Sequence, residues 1–311
     1  MENRRSLSKY LFRGSILTLA LIFLLLNLLA WSQASNLVTH PMDERPPVTM
    51  QSLPEELPFQ DVLVNANDGL ALHGWYLPSE NGAIILMQHG YKSDREEFIE
   101  EATIFGRAGY GVLVTSVRAH DVNDGDQITF GLREMQDIDA WVSFALLQPG
   151  IDPERIGMIG NSLGASMTIQ YAANHDAIKA IVAHSAFSSM RDTIETSIRH
   201  FTGLPPFPFA PLIQFWAEIQ LGFSINEINA SAWIADISPR PVFLLHSLDD
   251  TVISPGSGQL LYEAAREPKE IWLENGVDHA DFEQAFPEKF ADRVIGFFNR
   301  QFFPEGRPLK E

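Results

Sequence analysis

The chain has 311 residues, 45% of them hydrophobic and 20% charged. That composition is ordinary for a globular protein, and the length is enough to bury a substantial core without covalent staples. There are no cysteines, which excludes a disulfide framework, a zinc–thiolate centre and a thiol nucleophile. The formal net charge of −18 repels phosphate backbones, so no nucleic-acid partner is expected.

The N-terminus is basic, with Arg4, Arg5, Lys9 and Arg13, and an apolar run follows from residue 15 to 31, interrupted by Thr18 and Asn27. A membrane-spanning helix needs about 17 apolar residues at the least. The positive flank places the rest of the chain outside the cytoplasm. Residues 1–34 are therefore expected to be a membrane anchor. The alternative is a secretory signal peptide, with Ser32-Gln33-Ala34 as a small-x-small cleavage site. Residues 35–58 carry Pro41, Pro46, Pro47, Pro54 and Pro58 with no surviving period, and read as a Pro-rich linker.

A catalytic domain is expected over 59–303, with residues 304–311 as a tail. Residues 61–64 and 70–77 flank Asn67-Asp68-Gly69, which predicts an opening hairpin. Continuous apolar runs at 83–88, 111–117, 155–159, 179–183, 241–245 and 270–273 predict buried strands. Amphipathic stretches at 95–108, 134–147, 164–174, 258–265 and 288–302 predict helices between them. Apolar strands alternating with helices imply an α/β architecture, a mostly parallel sheet covered on both faces. Active sites in such sheets lie at the carboxyl ends of strands. The segment 186–237, rich in Pro and Phe, is too long for an ordinary loop and predicts a helical cap insertion.

After the run at 155–159 comes Gly160-Asn161-Ser162-Leu163-Gly164, then a helical stretch. A serine hydroxyl is a weak nucleophile until a base takes its proton, and a tight strand-to-helix turn between glycines lifts it out of the sheet. The Leu163 amide then sits at a helix N-terminus, where it can donate to an oxyanion. His89-Gly90-Tyr91 follows the run at 83–88, where the Tyr91 amide can supply the second donor; His89 is expected to shape the loop. Asp249 and Asp250 follow the run at 241–245, and a carboxylate there can orient a histidine. His279 follows the last predicted strand. The order serine, aspartate, histidine is that of the α/β-hydrolases.

These residues resemble the α/β-hydrolase superfamily, and the resemblance spans about 61–303. It implies a sheet of the eight-stranded type, with Ser162 as nucleophile, His279 as base and Asp250 as acid. The acid region resembles H-G-x-x-D-x-x-V-P, with His246 in the first place and Asp250 in the fifth; Ser247 and Ile253-Ser254 depart from it. The stretches at 118–121 and 125–131, with Glu134 and Asp137, resemble membrane-anchored bacterial hydrolases described as Bem46-like, dienelactone-hydrolase-like or serine-aminopeptidase-type. Arg118, Glu134 and Asp137 read as structural.

The expected reaction is cleavage of a carboxylic ester through an acyl-enzyme. An amidase or peptidase of the same fold is one alternative, and a catalytically silent binding protein at the membrane is another. The substrate is expected to be a small molecule with an apolar group, contacted by Phe187, Phe207, Phe215 and Trp216. No metal or cofactor is expected: the nine histidines are scattered, and neither H-E-x-x-H nor a nucleotide-binding glycine pattern occurs.

Overall fold

The computed structural model describes the backbone from Glu2 to Gly306 and the side chains from Leu11 onward. It opens with one long helix, α1 (Glu2–Val38). Within it, Leu11–Val38 is long and apolar enough to cross a membrane, an 18-residue stretch of it having a mean hydropathy of 2.2. The helix does not stop at residue 34. Nothing between Trp31 and Val38 breaks it, and Ala30, Ala34 and Val38, spaced by four, are all buried on one face. Ser32-Gln33-Ala34 is therefore helical.

The segment read as a linker is also more tightly held than its prolines indicate. The Arg45 guanidinium is buried and donates to the carbonyls of His40, Asp121, Asn123 and Gly125. Buried carbonyl acceptors satisfy this cation where no period in the sequence marks a packed element. Thr39 forms a bridge with Gln127.

The hairpin forms as expected: β1 (Gln60–Asn65) and β2 (Ala71–Leu77) run antiparallel. There follow β3 (Ile84–Gln88), α2 (Ile99–Arg107), β4 (Gly111–Thr115), α3 (Met135–Leu146), β5 (Ile156–Asn161), α4 (Leu163–Asn174) and β6 (Ala180–His184). The cap comes next, with α5 (Met190–Thr202), α6 (Pro206–Leu221) and α7 (Ala230–Trp233). The chain returns to the sheet with β7 (Val242–Ser247), α8 (Ser257–Ala264) and β8 (Lys269–Glu274), and closes with α9 (Phe282–Ala285) and α10 (Pro287–Phe302).

The eight strands form one sheet in the order β1-β2-β4-β3-β5-β6-β7-β8. Only the pairings of β2 are antiparallel; the rest are parallel. Every residue of β3 through β7 is buried, which is why those strands read as unbroken apolar runs. Alternate residues feed opposite cores. Ile84 and Leu86 join Trp141 and Ile169 on one face; Ile85 and Met87 join Phe105 and Phe298 on the other. The α/β-hydrolase fold expected from the sequence, with helices on both faces, is what the chain adopts. Its parallel strands bring the ends of β3, β5, β7 and β8 to one rim.

Candidate active site

Ser162 occupies the turn between β5 and α4 with φ 53° and ψ −115°. An L-residue held there costs of order 1–3 kcal/mol, which the surrounding fold must impose. Steric crowding explains the flanking glycines. A Cβ on Gly160 would lie 2.3 Å from the Gly164 carbonyl oxygen, and one on Gly164 would lie 2.0 Å from that of Gln88. No larger residue fits while the turn keeps this shape. The Ser162 amide donates to the His184 carbonyl (2.8 Å), which ties the turn to β6.

His279 lies beyond β8 and donates from Nδ1 to Oδ2 of Asp250 at 2.6 Å. Its Nε2 has no hydrogen-bond partner among the described residues. Asp250 Oδ1 accepts from the amides of Val252 (2.9 Å) and Ile253 (2.8 Å). Burial alone pushes the Asp250 carboxyl upward. The hydrogen bond and charge of His279, with the Ile253 amide and the charge of His246, outweigh it and hold the group below the usual carboxylate range. Asp249 faces elsewhere and accepts from the Gly276 amide (2.7 Å). Of the two neighbouring aspartates, only Asp250 touches the imidazole.

Gly90 and Tyr91 form the turn after β3. A Cβ on Gly90 would stand 3.3 Å from that of Ser162, so the missing side chain lets this backbone approach the serine. The Gly90 amide donates to Glu97 Oε2 (3.0 Å). His89 is fully buried, donating from Nδ1 to the Gly90 carbonyl (2.9 Å) and accepting at Nε2 from Ser116 Oγ (3.3 Å). It shapes the loop. Leu163 is the first residue of α4, so its N–H has no intrahelical acceptor. Gly90, Tyr91, Ser162 and His279 line one cavity of about 620 Å³.

A second, apolar cavity of about 90 Å³ begins at Tyr91, Ser162 and Leu163 and runs beneath the cap. Of the four aromatic residues expected to line a pocket, only Phe187 does so. Phe207 is 83% exposed and Phe215 52%. Trp216 turns toward the N-terminal helix, where its Nε1 donates to Asn27 Oδ1 (3.3 Å). The kink at Phe207 and the docking of α6 against α1 turn all three rings away from the cavity, Phe207 and Phe215 to the outside and Trp216 onto α1. Where the cap and α1 meet the cavity the wall is largely aliphatic, with Ile194 and Ile198 of α5, Ile213 and Ala217 of α6, and Leu37 and Val38 at the end of α1, beside Phe130 and Phe201. The four-residue spacing of 194 and 198, and of 213 and 217, was the available signal.

The wider cavity has an acidic side that the sequence reading missed, formed by Glu96, Glu97, Glu100, Asp281 and Glu283. Burial, then the charges of Asp281, Glu100 and Glu97, push the Glu283 carboxyl up to about 8. Nearby, burial lowers His184 to about 3, helped by the charges of His279 and His246. The residues read as structural do hold loops. Arg118 binds Asp137 through Nε and Nη2 and reaches Asp68 through Nη1. Glu134 accepts from the amides of Thr129 (2.7 Å) and Gly131 (3.0 Å). Among the described residues, no three His, Asp or Glu side chains form a metal-binding group.

A family model described as X-Pro dipeptidyl-peptidase (S15 family) matches residues 68–202. The chain is 27% identical to the uncharacterized protein YqkD of Bacillus subtilis over 215 residues, 68% of this chain and 70% of that one. It is 28% identical to the uncharacterized protein Rv2307c of Mycobacterium tuberculosis over 279 residues, 88% of this chain and 89% of that one. Among solved structures it is similar to the esterase Pf2001 of Pyrococcus furiosus. The TM-score is 0.67 and the identity 26%, covering 83% of this chain and 98% of that one.

Proposed function

We propose that this chain, a hydrolase belonging to the α/β-hydrolase superfamily, is a serine esterase working through an acyl-enzyme. The observation that carries the reading is the 2.6 Å bond from His279 to Asp250, with the free Nε2 of that imidazole sharing a cavity with Ser162. In this reading His279 Nε2 takes the Ser162 proton as Oγ attacks the ester carbonyl. The amides of Tyr91 and Leu163 hold the oxyanion. His279 then returns the proton to the departing alcohol, leaving Ser162 acylated. Water attacks the acyl group, its proton passes to His279, and the carboxylic acid leaves as Ser162 is regenerated. Asp250 keeps the imidazole oriented and stabilises its cation.

The apolar cavity supports an ester with a slender apolar group, and the esterase Pf2001 supports the same bond type. The S15 match includes Ser162 and favours a second reading, an amidase or peptidase with the same triad. The exposed apolar surface of Leu11–Val38 supports a membrane anchor, with the catalytic domain outside the cytoplasm.

A fluorophosphonate probe tests the nucleophile: the native chain is labelled and Ser162→Ala is not. Turnover of p-nitrophenyl esters against aminoacyl p-nitroanilides, X-Pro anilides among them, separates the two bond types. An unlabelled native chain would identify a silent binding protein.

A further inference from the structure

The N-terminal half of helix α6 has almost no polar surface; Gln214 donates to Glu218 one turn later (3.2 Å), where the polar side chains of the helix begin. Ala210, Ile213, Ala217 and Leu221 are buried, while Phe215 and Ile219, one turn apart, are exposed at 52% and 55%. Between Pro206 and Trp216 the only polar side chain is that of Gln214. A helical stretch that is apolar all round belongs in a core or in a membrane, and this half of α6 lies on the outside of the cap.

What it lies against is α1. Ala30, Ala34 and Val38 pack with Ala210, Ile213, Ala217 and Leu221. The pairing also fixes direction. Trp216 bonds to Asn27, and one turn later Gln220 accepts from Ser35 Oγ and donates to the Trp31 carbonyl. The two helices therefore run the same way. The residues of α6 before Trp216 lie on the side of Asn27 that leads back along the apolar segment of α1. They cover about 15 Å at 1.5 Å per residue, half of a hydrocarbon core about 30 Å thick. Trp31 stands one turn, about 6 Å, beyond Trp216 along the pair, a spacing that lies within the belt aromatic residues form at a membrane interface.

The same two helices wall the apolar cavity that begins at Ser162. Leu37 and Val38 line it from α1, and Ile213, Ala217 and Leu221 from α6. At about 90 Å³ it is far smaller than the roughly 300–1,000 Å³ of cavities that enclose whole ligands. It takes one slender apolar group whose remainder lies elsewhere.

We infer that the N-terminal half of α6 is immersed in the leaflet beside α1, and that the acyl chain of a bilayer-dissolved ester reaches Ser162 between these two helices. The inference rests on the esterase reading for its substrate class and on packing alone for the immersion. The acidity of the chain disfavours an anionic surface, so the membrane is zwitterionic and the ester neutral.

The test uses the full chain in phosphatidylcholine vesicles. Because the chain lacks cysteine, Phe215→Cys carries a single environment-sensitive fluorophore, and Leu147→Cys is the control. Leu147 is 81% exposed and follows α3, near the end of the sheet away from the cap. Spin-labelled lipid is expected to quench the probe at 215 and not at 147. Absence of quenching at 215 overturns the immersion whatever the chemistry. For the substrate, the double variant Phe215→Glu, Ile219→Glu is expected to lose about tenfold or more of its activity on vesicle-held p-nitrophenyl palmitate. Its activity on dissolved p-nitrophenyl acetate stays within about twofold, since neither side chain lines the cavities. Equal loss on both esters, or loss on neither, overturns the route. Quenching at 215 in a chain that cleaves neither ester overturns the esterase reading alone.

Discussion

Asp250 spends its two carboxylate oxygens on different partners: Oδ2 on His279 Nδ1 and Oδ1 on the amides of Val252 and Ile253. The loop amides fix the carboxylate, and the fixed carboxylate sets the imidazole tautomer. Asparagine at 250 keeps the shape but offers an N–H where the imidazole needs an acceptor. Asp250→Asn is therefore expected to lower kcat on p-nitrophenyl acetate by about 10³–10⁴. Asp249→Asn loses only an acceptor for the Gly276 amide, worth about 1 kcal/mol, and its kcat stays near the native value. If Asp249→Asn were the damaging change, the acid would be misassigned.

The geometry of the candidate rim was legible because its residues are local to strand ends. A glycine pair around Ser162, and an aspartate and a histidine after successive apolar runs, need only the strand pattern to be placed. The choice between Asp249 and Asp250 needed coordinates, since one residue of loop rotation exchanges their directions. The pocket was legible only at Phe187. Aromatic content says that a segment is apolar, but not which side of a helix meets the sheet. Phe207 and Phe215 turned to the outside, and Trp216 toward α1, because α1 and the kink in α6 set that helix's rotation. The docking of residues 35–58 was equally hidden, since Arg45 is held by backbone carbonyls, which carry no sequence signature.

Ala217 sits where the apolar cavity is bounded by α6. A larger side chain there shortens the space for an acyl group without touching Ser162 or His279. Ala217→Phe is expected to reduce kcat/KM for p-nitrophenyl hexanoate and longer esters by about 10–200-fold, the range set by one or two misplaced methylenes. The acetate stays within about twofold. Unchanged kcat/KM at every chain length would place the acyl group in the wider acidic cavity instead.

Two buried groups near the site give stability opposite dependences on pH. Glu283 titrates at about 8 in the folded chain and near 4.3 unfolded. Between those values the folded state binds more protons, so its stability falls as pH rises. His184, lowered to about 3 when folded and near 6.5 unfolded, works the other way: stability falls as pH drops below about 6.5. Native Tm is therefore expected to peak near pH 5–6. Glu283→Gln should make the alkaline limb shallower, the remainder coming from the buried Glu101, which burial also raises, and leave the acid limb in place. Thermal melts from pH 4 to 9 check this; parallel alkaline limbs in the two proteins would remove Glu283 as the cause.

Ala30 and Ala34 are fully buried, and their small side chains let α1 and α6 approach closely. Cleavage after residue 34 would strip both from α6 and expose Ile213 and Ala217 to water. The packing favours an anchor that stays attached. Expressed in a cell with its membrane, this 311-residue chain is expected to keep its mass of 34.8 kDa, and its N-terminal peptide should be recoverable from the membrane fraction. Ala30→Phe forces the helices apart and should cost about 1–3 kcal/mol, read as a lower Tm in detergent. A mature chain beginning at Ser35, with a Tm equal to that of the full-length protein, would make α1 a signal peptide whose packing contributes nothing to the fold.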